Sequence, residues 1–457
     1  MPHLHVSRRH VLTQLGTGLG LASMLPNVWA QAAPAGSATA GSLGQGRLVV
    51  VFLRGAYDGL SAFVPHGDAD YYKIRNAIAI PAPDGTAQTA IKLDNMFGMH
   101  PAMSALLPLW EQGVLSFIPA AGLPEPNRSH FDAQYQMEIA QTNHTSAAPG
   151  WLNKLARLQA SHVTALGVGE SNPAILAGDA RVALIPHGQA AQQSGVLAND
   201  KTRQALLDLY AGNDNVSKAF RQGADSRIES AKELSTASAV RKVERAKVEQ
   251  AQMTNASMSM RAADKDGKPS GITPSMQMMA ASNGAADPQG LQLDAQHLTT
   301  LMGNDPNLRI GFLSAGGWDT HVNQGGVTGQ LAGNLGNLTR ALTQLRQDFS
   351  EPGDTIVVMS EFGRTSAENG TKGTDHGFGN AMWLVGNRIN GGRWHGQWTG
   401  LAQASLNQGR DLPAHHDYRS VLAQLLRSTF ALPDSQLQTI LPGAKWDSRL
   451  DGMVRKV

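Results

Sequence analysis

Short unbroken runs of β-branched and other apolar residues recur along the chain. Residues 47–53 read Arg-Leu-Val-Val-Val-Phe-Leu, and comparable runs lie at 113–119, 163–168, 182–186, 309–315, 354–359 and 381–385. They are too short for ordinary helices and show no polar alternation, so they read as strands buried on both faces. Between them the apolar spacing changes to a helical period. Residues 97–112 place Leu106, Leu107 and Trp110 on one face, and 328–349 place Leu331, Leu335, Leu338, Leu342 and Leu345 on one face. Further helices are predicted from Ser129 through Gln141, near 294–302, and after Asp417, where Val421, Leu422, Leu425, Leu426 and Phe430 face inward. Strands alternating with helices predict an α/β fold, with a mostly parallel sheet flanked by helices.

Composition removes several kinds of chemistry. The 457 residues contain no cysteine, which excludes disulfides, thiolate-bound zinc, iron–sulfur clusters and thiol nucleophiles. A formal net charge of +2 gives no general attraction for nucleic acid or an anionic membrane. Ser7-Arg8-Arg9-His10-Val11-Leu12, a Gly/Leu/Ala run and Val28-Trp29-Ala30 have the pattern of a twin-arginine (Tat) export signal over residues 1–30. The apolar run is shorter than the roughly 20 residues a helix needs to cross a bilayer, so no stable membrane span is expected. The expected location is periplasmic or secreted, with the Tat translocase as the signal's partner. Residues 31–45 read as a flexible leader, 46–200 as the first part of the core, 201–290 as a helical and Met-rich insertion or cap, and 291–457 as the rest of the core. Met253, Met258, Met260, Met276, Met278 and Met279 fall in that insertion, where they serve either as a flexible apolar cover or as thioether ligands for Cu(I).

Asp and His gather just beyond the apolar runs. Gly316-Gly317-Trp318-Asp319-Thr320-His321 follows one of them, and Thr374-Asp375-His376-Gly377 lies one strand–helix unit later. In extended backbone Asp319 and His321 point the same way, so both can reach one ion. Mixed carboxylate and imidazole donors suit Zn or Mn better than Ca. One or two divalent ions there could activate a nucleophile and neutralise a leaving oxygen. Asp58, after the first run, is either a further ligand or a turn residue before Gly59. Ser129 is either a nucleophile at a helix start or part of a capping box with Asp132. Arg54, Arg128 and Arg364 are candidates to clamp an anion, and His415 or His416 could complete the metal site.

Taken together, these motifs resemble an exported family of unknown function numbered 1501. They are the Tat signal, Phe52–Leu60, Ser129-His130-Phe131-Asp132, Gly316–His321, Ser360-Glu361-Phe362-Gly363-Arg364-Thr365, Asp375-His376-Gly377 and Asp417-Tyr418-Arg419. That family is grouped with the alkaline phosphatase and sulfatase superfamily. The resemblance therefore implies an alkaline-phosphatase-like core and a metal-dependent hydrolase of small anionic esters, phosphate or related. Carried onto this chain, it implies Ser129 as nucleophile with Arg128 beside it, and Asp58, Asp319, His321, Asp375 and His376 as ligands. Glu361 competes for the place of Asp375 because it directly follows a strand. No Ser-x-Pro-x-Arg or Cys-x-Pro-x-Arg run is present, which argues against a formylglycine sulfatase. The competing expectation is a non-catalytic periplasmic binding or assembly protein that keeps the fold with a degenerate site.

Overall fold

The computed structural model describes residues 46–142, 148–159, 165–255 and 276–455. The signal and the leader lie outside these residues, as do Met258 and Met260 of the insertion. The main sheet has eight strands: β1 (Leu48–Leu53), β2 (Leu115–Gly122), β3 (Ala165–Gly169), β4 (Val182–Pro186), β5 (Ile310–Ala315), β6 (Thr355–Ser360), β7 (Asn380–Gly386) and β8 (His416–Asp417). Their order across the sheet is β8-β2-β7-β6-β1-β5-β3-β4. β1 sits centrally and pairs in parallel with both β5 and β6. β3 continues the parallel arrangement between β5 and β4. β7 alone runs against its neighbours β6 and β2. The fold is thus α/β with a mixed, mostly parallel sheet.

The central strands bury both faces, which is why their sequences show no alternation. Leu48, Val50 and Phe52 of β1 face one apolar layer, and Val49, Val51 and Leu53 face the other. The first layer is completed by α1 (His130–Ile139), α2 (Trp151–Arg157), and by α8 (Tyr418–Phe430) and α9 (Asp434–Ile440) near the C-terminus. The second is completed by α6 (Leu291–Asn304) and α7 (Gln330–Asp348). All five leucines of the α7 stripe are fully buried. Each contributes about 1.5–3 kcal/mol relative to an exposed position.

The insertion consists of α3 (Asp200–Leu209), the 41-residue α4 (Asn215–Asn255) and a return through α5 (Met276–Ala281). It has a small core of its own around Leu206, Tyr210 and Phe220. Met276 and Met279 are exposed, whereas Met278 turns inward and accepts a hydrogen bond from Gln330 Nε2 at 3.2 Å. The long helix expected at 97–112 is broken into three pieces. Gly98–Met99 is a short strand, Pro101–Leu106 is a 3-10 turn, and Leu107–Glu111 is α-helical. Pro101 and Pro108 each sit at the start of their segment, where a missing N–H costs nothing. Among the described residues no helix is long and apolar enough to cross a membrane.

Candidate metal centre

The parallel register fixes where the chemistry lies. Leu53, Ala315 and Ser360 are level across β1, β5 and β6, so Arg54, Gly316 and Glu361 leave the sheet along one edge. Ligand sites in such sheets form outside the carboxyl ends of the strands. Asp319 and His321 come from the loop after β5. His376 comes from the loop that joins β6 to β7, and His130 is the first residue of α1.

The Nε2 atoms of His130 and His376 are 2.9 Å apart, and those of His321 and His376 are 3.0 Å apart. Asp319 Oδ1 lies 2.9 Å from His321 Nε2, 3.4 Å from His376 Nε2 and 3.5 Å from His130 Nε2. His130, Asp319 and His376 form a set whose donor atoms all lie within 4.8 Å of one another, and His321 joins it through Asp319 and His376.

The outer nitrogen of each ring faces an acceptor. His130 Nδ1 donates to Glu361 Oε1 at 2.7 Å, His376 Nδ1 to the Arg128 carbonyl at 2.9 Å, and His321 Nδ1 to Asp375 Oδ1 at 3.1 Å. These partners put the ring protons on Nδ1 and turn three Nε2 lone pairs toward one another. Lone pairs facing at about 3 Å repel unless a cation or a proton lies among them. The carboxylates around the cluster favour positive charge on the rings. Burial alone would lower His130, but the Asp319 and Glu361 carboxylates outweigh it and raise it to about 9. His321 is raised chiefly by its hydrogen bond to Asp319. Burial pushes Asp319 up, yet the three histidines and Arg364 hold it well below the usual carboxylate range. The donor set and its outer hydrogen bonds fit a divalent transition metal. The cluster is reachable from solvent on one side, where His321 and His376 keep 27% and 25% of their side-chain surface.

The loop carrying His376 is clamped to the strand ends. Gly377 N donates to Gly363 O at 2.7 Å, and Gly363 N to Phe378 O at 2.8 Å. A Cβ on Gly363 would lie 1.9 Å from Gly379 O, which is backbone and cannot yield cheaply. Gly363→Ala is expected to destabilise the protein by about 1–3 kcal/mol through this overpacking, measured as the shift of the urea midpoint.

The family described as "Protein of unknown function (DUF1501)" matches residues 45–441. The chain belongs to that family. No curated protein matches it. The span matched to DUF1501 takes in every residue of the centre.

Within this DUF1501 protein the residues singled out from sequence separate into groups. Asp319, His321 and His376 turn donor atoms into the centre. Glu361 and Asp375 do not. They hold the Nδ1 protons of His130 and His321 instead. Asp58 is elsewhere, because both its oxygens are taken by Arg75, at 2.6 and 3.0 Å, and it also caps the short helix Gly59–Ala62. That capping role is the turn alternative of its Asp–Gly sequence. His416 is held by Asp447 and His415 by Thr399, so neither completes the site.

The arginines separate too. Arg54 is saturated by Glu138, Glu170 and Gln134, and Arg364 by backbone carbonyls and Asp319. Arg128 is partly exposed, reaches Gln408 and Asp411, and leaves Nε without a partner. Ser129 is exposed at the start of α1 and makes no side-chain capping bond, against the capping-box alternative. His130 is the member that spacing misses. Its only local signal is its place at a helix start after a strand-like run, next to Ser129.

Proposed function

We propose that the protein is an exported metal-dependent hydrolase of phosphate or related esters on an alkaline-phosphatase-like core. What carries the reading is the convergence of His130, His321, His376 and Asp319 with their outer nitrogens already committed to acceptors. A divalent ion held there, with Zn or Mn the best matched to the donors, supplies a Lewis acid that lowers the pKa of the attacking hydroxyl and neutralises anionic ester oxygens. Ser129 is the nucleophile in this reading. It adjoins His130, and its hydroxyl is not spent on capping α1. A helix N-terminus such as that of α1 favours an anion beside Ser129. Arg128, partly exposed beside Ser129, brings positive charge to the same anion. Export through the Tat pathway to the periplasm or beyond belongs to this proposal and rests on the motif at residues 1–30.

The experiment is metal analysis of protein prepared without chelators, followed by turnover of a panel of aryl phosphate and sulfate esters. Stoichiometric Zn or Mn with turnover is expected. Ser129→Ala is expected to lower kcat by about a thousandfold or more while leaving bound metal unchanged. A folded, metal-free protein without turnover would overturn the proposal in favour of a binding or assembly protein. One observation favours that second reading: Arg364 Nη2 already donates to Asp319 Oδ1 at 2.5 Å, occupying part of a carboxylate that a metal would use.

A further inference from the structure

Helix α1 carries more of the centre than its first residue. His130, Gln134 and Glu138 are four residues apart and form one buried stripe facing the strand ends. Glu361 is fully buried, and its Oε1 receives three donors: Gly55 N at 2.8 Å, Gln134 Nε2 at 2.9 Å and His130 Nδ1 at 2.7 Å. Gln134 Nε2 also donates to the Ala281 carbonyl at 2.7 Å, where α5 of the insertion ends. Gln134 Oε1 in turn accepts from Arg54 Nη1 at 2.9 Å. Arg54 is immobilised by Glu138 at 2.7 Å and by Glu170 at 2.8 Å, and Ser314 Oγ donates to Glu170 at 2.7 Å.

We propose that Gln134 and Arg54 are positioning residues for the metal centre, acting through Glu361 on the tautomer of His130. The inference rests on the reading of the centre as a metal site. An amide has two orientations that differ by a flip. Flipping Gln134 would aim its carbonyl at a carboxylate and at another carbonyl, and its NH2 at a guanidinium. Arg54 therefore sets the one orientation in which Gln134 donates to Glu361. With Gly55 N and Gln134 Nε2 sharing its charge, Glu361 accepts from His130 without stripping the proton. When an ion displaces the Nε2 proton, His130 keeps its Nδ1–H on Glu361 and turns a neutral ring with its Nε2 lone pair inward, the form a metal requires. Both residues are out of reach of the metal itself, so neither is catalytic. Because the Ala281 carbonyl shares the Gln134 amide, the end of the insertion is tied to the same relay.

The test uses the full mature protein, Zn(II) and Co(II) as probes, and Gln134→Met with Arg54→Lys. Gln134→Met keeps the length of the side chain but cannot donate to Glu361. Arg54→Lys removes the planar fork that reaches Gln134, Glu138 and Glu170 together. Zn(II) affinity is expected to fall about 10–100-fold in each, as loss of outer hydrogen bonds does elsewhere, and the Co(II) absorption bands to shift. In the metal-free protein above about pH 9, where the His130 ring has shed its second proton, the His130 ¹⁵N shifts are expected to leave the Nδ1–H pattern. A purely structural role would lower the unfolding midpoint and move neither spectrum. If Gln134→Met does not fold, Gln134→Leu, which also lacks the donor, replaces it. Wild-type Zn(II) affinity and wild-type ¹⁵N shifts in both variants would overturn the proposal. If the wild type binds neither ion, the metal reading fails on its own, and the metal-free ¹⁵N comparison still decides whether Gln134 and Arg54 set the tautomer.

Discussion

Replacing Asp319 by Ala is expected to abolish stoichiometric metal binding, weakening Zn(II) at least a hundredfold. Asp319 supplies the only carboxylate oxygen among the converging donors of the described residues, within 3.5 Å of all three Nε2 atoms. Outer-shell losses alone cost 10–100-fold, and a ligand loss exceeds them. Removal also strips the buried Arg364 of its carboxylate partner, so the metal-free variant loses stability as well. The two effects separate cleanly. Metal bound to the native state stabilises it by RT ln(1 + [L]/Kd), about 4 kcal/mol at a thousandfold excess over Kd. Wild-type protein should therefore lose a large part of its thermal stability on dialysis against chelator, and Asp319→Ala none beyond its starting deficit. Asp319→Asn, which keeps the shape and an oxygen acceptor, should fall between them in metal content. Equal chelator sensitivity in wild type and Asp319→Ala would remove Asp319 from the metal site.

The sheet was legible because burial on both faces leaves a mark that needs no partner. Leu48–Leu53, Ile310–Ala315 and Thr355–Ser360 are unbroken apolar runs because both of their faces are covered. Asp319 and His321 stood out because two residues in extended chain share a side, and they do converge. His376 is visible in sequence as half of an Asp–His pair, but the division of labour within that pair is not. Asp375 turns to the His321 Nδ1 and keeps 54% of its side-chain surface, while His376 faces inward. Glu361 was ambiguous for a related reason. A carboxylate that binds a metal and one that binds a ligand's outer nitrogen are the same residue in sequence. His130 lies in the Ser129-His130-Phe131-Asp132 motif without standing out as a ligand, because it opens a helix, where a residue two positions away does not share its side. Its role exists only when α1 is laid beside the ends of β5 and β6. The break at Pro101 and Pro108 was masked by apolar residues at helical spacing that pack well in either conformation.

Asp58 shows how far a motif can mislead, and it carries the second large effect. An Asp just past the central strand invites a ligand role, but the partner that decides its fate, Arg75, is 17 positions on in a segment with no motif. Both side chains are fully buried, and the pair is bidentate at 2.6 and 3.0 Å. Arg75 also donates to the carbonyls of Thr365 and Ser366, tying the β1 turn to the loop that leads to His376. Removing one partner strands a buried charge, so Arg75→Ala is expected to cost about 3–5 kcal/mol at neutral pH, read from urea unfolding. Burial alone would raise Asp58, but Arg75 outweighs it and holds it below its ordinary value. A carboxylate lowered in the folded state adds stability that is complete above its unfolded pKa, about 3.9, and drains away as pH falls through its folded value. In Arg75→Ala the stranded carboxylate is raised instead and can take up a proton. The gap between wild type and variant should therefore be widest near neutral pH, begin to narrow as the pH falls through the raised value of the variant, and narrow further below about 3.9 as the wild-type contribution drains away. Asp58→Asn combined with Arg75→Met should recover much of the loss, because a buried pair replaced by groups without net charge strands nothing. A gap that stays constant from pH 7 to pH 3 would mean that packing of the Arg75 stem, not its charge, holds this corner of the sheet.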